Sequence, residues 1–206
     1  DEFQRDRVMA ELLPRGTALA NLAAGLVVAK LGTAAISGPE LRRAIQLQEG
    51  TGRGVMTAEQ LATVVEDARA QGEKIVFTNG CFDIIHAGHV GYLEDARKQG
   101  DRLIVAINDD DSVRRLKGAS RPLNTVSDRM AVLAALEAID FVVPFSEDTP
   151  ERVIEALAPD VLVKGGDYRV EQIAGHKSVL ERGGEVRILD FFAGHSTTGL
   201  IERLQD

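Results

Sequence analysis

From Lys74 onward, short continuous apolar runs alternate with longer segments whose apolar positions recur at helical spacing. The runs at 75–78, 102–107, 140–145, 160–163 and 185–189 predict five strands. Each run is apolar at successive positions rather than at every second one, as strands covered on both faces require. Helical patterns lie at 88–99, 126–138, 150–158, 174–182 and 197–204. Alternation of this kind predicts an α/β fold, a doubly wound parallel five-stranded Rossmann-like sheet.

The amino-terminal part reads differently. Residues 17–31 are alanine-rich and end at Gly32, the pattern of a buried helix with a glycine stop. Ser37-Gly38-Pro39-Glu40 opens a second short helix to about residue 47. Residues 49–55 carry three glycines and read as a linker, and Thr57-Ala58-Glu59-Gln60 is a capping box starting a helix to about residue 70. The expected organisation is a helical extension over 1–48, a linker and helix over 49–73, and the α/β domain over 74–206.

In a doubly wound sheet, ligands bind beyond the carboxyl ends of the strands, so the loops there should carry the chemistry. The first strand leads into Thr78-Asn79-Gly80-Cys81-Phe82-Asp83-Ile84-Ile85-His86-Ala87-Gly88-His89. His86 and His89 stand three apart at a helix start, beside free N–H groups and the positive end of the dipole. Such a terminus binds anions, the imidazoles add donors, and Gly88 lets a ligand approach the backbone. The alternatives are two ordinary histidines or part of a metal site. Asp83 alone is a poor third ligand, and no protein metal site is expected.

Further along, Lys117 precedes Gly118, so its ammonium can swing over a phosphate, with Arg114, Arg115 and Arg121 nearby. Arg121-Pro122 sets a guanidinium on a stiff turn, suited to a sugar phosphate or a triphosphate. After the fourth strand comes Lys164-Gly165-Gly166-Asp167-Tyr168. The glycine pair exposes backbone that can read a base edge, and Asp167 can hold a ribose hydroxyl or orient a cation. Ser196-Thr197-Thr198 opens the last helix, a second set of hydroxyls and free N–H groups for an anion. Each motif also has a bland reading: a surface lysine, a glycine turn, a good N-cap.

Composition narrows the partners. The 206 residues carry a net charge of −8, which argues against general affinity for nucleic acid or an anionic membrane. Cys81 is the single cysteine and cannot form an internal disulfide, which fits a reducing cytoplasm. The first residues show no signal-peptide pattern, and the longest apolar run, 22–29, is too short to span a bilayer. A soluble cytoplasmic protein is expected.

Taken together, these motifs resemble the nucleotidylyltransferase superfamily that shares HxGH, which includes cytidylyltransferases and pantetheine-phosphate adenylyltransferase. Residues 78–89, Arg121-Pro122-Leu123-Asn124, the 164–168 segment and Ser196-Thr197-Thr198 look most like one branch. That branch is the adenylyltransferase domain of bifunctional heptose kinase/ADP-heptose synthases. The stretch 20–37 resembles the tail of the ribokinase-like domain that precedes it there. No kinase activity is expected, because 1–45 show neither a glycine-rich anion hole nor a catalytic aspartate. Phe191 stands where cytidylyltransferases carry an arginine, so their site map does not transfer whole.

The resemblance implies transfer of AMP from ATP to D-glycero-β-D-manno-heptose 1-phosphate, with release of pyrophosphate and formation of ADP-heptose for lipopolysaccharide core synthesis. It implies catalytic roles for His86, His89 and Lys117. Asn79, Gly80, Cys81, Phe82, Asp83, Gly88, Arg129, Lys164, Gly165, Gly166, Asp167, Ser196, Thr197 and Thr198 would surround the nucleotide and its phosphates. Arg121 and Tyr168 would face the acceptor, and Mg2+ would arrive with ATP. The apolar face of the amino-terminal helices is left to pack on the transferase domain or to join copies of the chain. Three rival readings stay open. One is a superfamily transferase with another NTP or acceptor, such as glycerol 3-phosphate or phosphopantetheine. Another is a nucleotide-binding module without turnover. The most distant is a fragment of an aminoacyl-tRNA synthetase, which the acidic charge and short chain oppose.

Overall fold

The computed structural model describes residues 53–190, and outside them only Ala20, Asn21 and Ala24. The expected helices over 37–47 and 197–204, most of the one over 17–31, the division at 48, and Ser196-Thr197-Thr198 therefore lie outside the described residues. Within 53–190 the apolar runs become strands: β1 Gly54–Val55, β2 Ile75–Gly80, β3 Arg102–Asn108, β4 Phe141–Phe145, β5 Val161–Gly165 and β6 Glu185–Leu189. The helices are α1 Ala58–Ala70, α2 Ala87–Arg97, α3 Asp110–Lys117, α4 Val126–Ala134, α5 Glu151–Leu157 and α6 His176–Glu181. The strands form one sheet in the order β1-β4-β3-β2-β5-β6, every pair parallel. The predicted α/β class holds, with one strand more than expected.

That sixth strand lies in the segment read as a linker. Gly54 and Val55 pair with Phe141 and Val142 at the sheet edge. Two residues are too few to leave an apolar run, and the pairing depends on β4, far away in sequence. By contrast, the capping box at Thr57 forms as the local sequence predicts. Its side chain accepts from the Gln60 N–H, and the Gln60 side chain accepts from the Thr57 N–H.

Helices cover both faces of the sheet. On one face Ile75, Phe77, Ile104, Ala106, Phe141, Val143 and Leu162 pack with Leu61 and Val65 of α1 and with Val153, Ile154 and Leu157 of α5. On the other, Val76, Leu103, Val105, Ile107, Val142, Val161 and Val163 pack with Tyr92, Leu93 and Ala96 of α2 and Leu133 of α4. Successive residues of one strand thus enter opposite cores, which is why the runs are apolar throughout.

Register is fixed at the amino ends of the strands by aspartates just ahead of them. Asp101 accepts from the Lys74 N–H at 2.7 Å, Asp160 from the Ile75 N–H at 2.7 Å, and Asp140 from the Leu103 N–H at 2.9 Å. Each carboxylate satisfies an amide at or next to the start of a neighbouring strand, so a slip of one residue would break the bond as well as invert the faces. Asp140 is buried and also pairs with Arg97 at 3.1 Å, Arg102 at 3.4 Å and Arg53 at 3.7 Å. No helix among the described residues is long and apolar enough to cross a membrane.

Candidate functional site

The chain runs β2, β3, β4 to one side of the sheet and returns to place β5 and β6 on the other side of β2. The reversal point is therefore the crevice between β2 and β5 at their carboxyl ends, where open α/β sheets bind ligands. The loop after β2 and the glycine pair at 165–166 meet there.

Local geometry shapes the first wall. Phe82 adopts a positive φ of 46°, a conformation side chains rarely take, and it buries its ring. A Cβ on Gly80 would sit 2.9 Å from that ring, so glycine at 80 lets the loop fold back on itself. The Phe82 ring lies 5.4 Å from the His89 ring, and the His86 and His89 rings are 4.0 Å apart, centre to centre. His86 is the N-cap of α2, with φ −140° and ψ 170°, and its carbonyl accepts from the His89 N–H at 2.9 Å. The two imidazoles therefore stand together at a helix start, as the three-residue spacing predicts.

Burial, reinforced by the neighbouring His86, lowers the His89 pKa to about 4. The His89 Nδ1 is buried without a hydrogen-bond partner. A neutral, half-buried imidazole with unused polar capacity is a poor structural element and a good receiver for an incoming anion.

The opposite wall is Lys164. Its Nζ donates to the backbone oxygen and to the side-chain oxygen of Asn79, each at 3.1 Å. Burial lowers its pKa, with Lys117 adding to the effect and Cys81 opposing it. Gly166, at φ 112°, turns the chain sharply after β5, and leaves Asp167 and Tyr168 exposed at the rim. The Cys81 thiol is half-buried, and burial raises its pKa against the pull of Lys117, Arg129, Lys164 and Arg121. All four cations lie within electrostatic reach of this one sulfur, two of them already paired, Arg121 with Asp83 and Arg129 with Asp110.

Lys117 is the last residue of α3. Asp109 caps the helix, accepting from the Ser112 N–H at 2.7 Å, and acidic residues at 110 and 111 face basic ones at 114, 115 and 117 along the dipole. Gly118, at φ 96°, ends it. The lysine is exposed.

Three of the expected ligand residues are engaged within the protein. Arg129 is neither on the surface nor turned to an empty site. Its side chain is almost fully buried and donates to the carbonyls of Asn124 at 3.0 Å, Cys81 at 2.6 Å and Asn108 at 2.9 Å, and to the Asp110 carboxylate at 2.7 Å. Four of its five N–H groups are thereby occupied by protein. Asp83 is buried, pairs with the Arg121 Nε, and accepts from the Leu123 and Asn124 amides at 2.8 and 3.0 Å. Burial works to raise its pKa, but those donors outweigh it and hold the carboxyl below its usual value. Asp83 thus pins the 121–124 loop, and one edge of Arg121 is taken up in doing so. Gly88 is buried inside α2. Among the described residues no three His, Cys, Asp or Glu side chains gather as a resident metal would need.

Sequence reasoning missed the layer under the crevice. Tyr92 and Thr78 share a 2.6 Å hydroxyl bond, and Asn108 donates to Ser112 at 2.9 Å. No spacing rule flags such pairs, because the strand–helix packing brings them together.

Comparison with known proteins places the chain in a family. Residues 77–202 match the cytidylyltransferase-like family. The chain is 67% identical over 193 residues to the bifunctional protein HldE of Alkalilimnicola ehrlichii, covering 94% of this chain and 40% of that one. It is 65% identical over 195 residues to the HldE of Azotobacter vinelandii, covering 95% and 41%. The chain thus spans about two-fifths of the length of the curated relatives it matches. In fold it is similar to the pantoate-beta-alanine ligase of Francisella tularensis, with a TM-score of 0.50 at 13% identity over 71% of this chain and 69% of that one. The chain belongs to the cytidylyltransferase-like family of nucleotidyltransferases.

Proposed function

We propose that this chain transfers AMP from ATP to D-glycero-β-D-manno-heptose 1-phosphate, producing ADP-heptose and pyrophosphate for lipopolysaccharide core synthesis. The observation that carries the reading is the His86–His89 pair at the start of α2, set at the sheet's reversal point opposite the Lys164–Gly166 turn. The resemblance of the motifs to heptose adenylyltransferases supports the choice of sugar, and the likeness to bifunctional HldE proteins accords with it.

In this reading the triphosphate lies over the start of α2, with the adenine side toward Gly165, Gly166 and Asp167. An oxygen of the sugar's anomeric phosphate attacks the α-phosphorus in line. The bond from that phosphorus to the bridging oxygen breaks, and pyrophosphate leaves. No covalent intermediate on the protein is required, since positioning and charge stabilisation supply most of such catalysis. His86 and His89 donate to the phosphate oxygens as negative charge shifts to the leaving group, and Lys117 neutralises it from the end of α3. Ser196-Thr197-Thr198 would complete the phosphate site, and Arg121 and Tyr168 the acceptor side. Mg2+ would be held mainly by phosphates and water, as that ion prefers, with Asp167 the nearest exposed carboxylate on the 164–168 turn. When bound, it would offset charge on the triphosphate.

Pyrophosphate release from ATP with the heptose 1-phosphate tests the reading, run beside a panel of other NTPs and of glycerol 3-phosphate and phosphopantetheine. Release with a different pair reassigns the substrate. Binding of ATP without release on any acceptor supports a module that does not turn over. Full activity in His89→Ala overturns the role given to that histidine.

A further inference from the structure

The ladder between β2 and β5 is short. β2 pairs with β3 along its whole length, from Ile75–Arg102 to Gly80–Ile107, but with β5 only at Val76–Val161 and Phe77–Leu162. Beyond Phe77 and Leu162 the two strands run on to Gly80 and Gly165 without a ladder between them. Two parallel strands released from their ladder need something else to fix their separation, because twist alone lets them diverge.

Side chains bridge the gap at two levels. At the rim, Lys164 of β5 reaches Asn79 of β2. One residue deeper on β2, Thr78 Oγ1 bonds the Tyr92 hydroxyl, carried on α2, at 2.6 Å, and the backbone of Gly165, next to Lys164 on β5, acts on the same hydroxyl. Tyr92 is 8% exposed and Thr78 is fully buried, so neither group can exchange this bond for water. Tyr92 belongs to the same buried core as Leu93 and Val163. A buried hydroxyl on α2 therefore holds the free end of β2 and faces the backbone of β5 at Gly165.

We propose that Tyr92 is a positioning residue that sets the width of the β2–β5 crevice, and through it the fit of the nucleotide. The inference rests on the reading of that crevice as the nucleotide site. Tyr92 touches no substrate; it acts through Thr78 and Gly165, whose neighbours Asn79, Lys164 and Gly166 form the walls. Removing only its hydroxyl leaves the core volume intact and frees the strand ends.

The test compares Tyr92→Phe, Thr78→Val and the double variant in the full chain. Loss of one buried hydrogen bond is expected to raise KM for ATP about fivefold, with kcat and the KM for the sugar phosphate little changed. Because Tyr92→Phe already removes the bond that Thr78→Val breaks, the double variant should match Tyr92→Phe rather than multiply the two effects. Amide hydrogen exchange supplies a readout independent of turnover. Exchange at 78–80 and 164–166 should quicken in Tyr92→Phe while β3 and β4 stay as protected as before. Unchanged exchange at those segments, or a general loss of protection across the sheet, overturns the proposal. An ATP effect that falls equally on both substrates also counts against it. Failure of the wild-type chain to turn over ATP would instead strike the nucleotide reading, and the exchange experiment would still decide the role of Tyr92.

Discussion

The Lys164 ammonium lies 3.1 Å from both the backbone and the side-chain oxygen of Asn79, spanning the gap between β5 and β2 at the reversal point of the sheet. A lysine with two of its three donors already held, and a pKa lowered by burial, is aimed before any ligand arrives. Replacing it with the similarly sized Met removes the charge and both bonds. Lys164→Met is expected to weaken ATP binding by about tenfold or more, as loss of charge-assisted hydrogen bonds does, and Asn79→Ala by less. Calorimetric titration with ATP checks both, and equal affinity in Lys164→Met removes Lys164 from the site. Because burial lowers the pKa of this ammonium, ATP affinity should begin to fall on the alkaline side sooner than for an ordinary lysine.

His89 gives an acid-side signature. Its folded-state pKa is about 4, against an ordinary value of 6.5, because burial and His86 disfavour the charged ring. The unfolded chain binds this proton more readily, so the contribution to stability is complete above pH 6.5 and is lost as pH falls toward 4. Urea unfolding across that range should show a flatter acid limb in His89→Gln than in the wild type. A triphosphate beside the ring acts in the opposite direction and raises the pKa. ATP binding should therefore take up protons near pH 6, and less so in His89→Gln. Calorimetry in buffers of different ionisation enthalpy measures this uptake, and its absence would leave the imidazole neutral in the complex.

Arg129 joins the loop after β2, the end of β3, the 121–124 loop and α3 through four bonds. Arg129→Met strips three carbonyls and the Asp110 carboxylate of their shared partner, at an expected cost of about 3–5 kcal/mol. Arg129→Lys keeps the charge but not the planar fork, so it should recover only part of that loss. Denaturant midpoints decide the matter. A loss of ATP binding at full stability would return Arg129 to the phosphates.

Asp140 lies at the far end of the strands, bonded to the Leu103 amide and paired with Arg97, Arg102 and Arg53. Asp140→Ala is expected to lower stability by about 2–3 kcal/mol, since a buried acceptor is lost and its partners are left partly unpaired. The kinetic constants of the folded fraction should not change. A shift in the KM for ATP would mean that the two ends of the sheet are coupled.

What could be read from the chain follows from the range of each interaction. The parallel strands were legible because burial on both faces demands uninterrupted apolar runs. The Thr57 capping box was legible because it closes within three residues. The strand Gly54–Val55 was not, since only pairing with β4 makes those residues a strand. The site divides in the same way. His86 and His89 depend on one helical turn, and their stacking follows from their spacing. Arg129 and Asp83 look like phosphate-site residues in a list of motifs, but their partners lie up to 48 and 41 positions away. Packing brought those partners close enough to occupy both groups.

The sequence by itself determined the α/β class, the order of the main elements, and the placing of two histidines at the helix start after β2, because apolar period and helical spacing are local. Tertiary structure alone decided which charged groups face the crevice and which brace it. It also decided that the β2–β5 ladder ends at Phe77, leaving Lys164 to span the strands beyond it and Tyr92 to brace Thr78. Burial and hydrogen bonding between distant segments set those outcomes, and neither is written in the order of neighbouring residues.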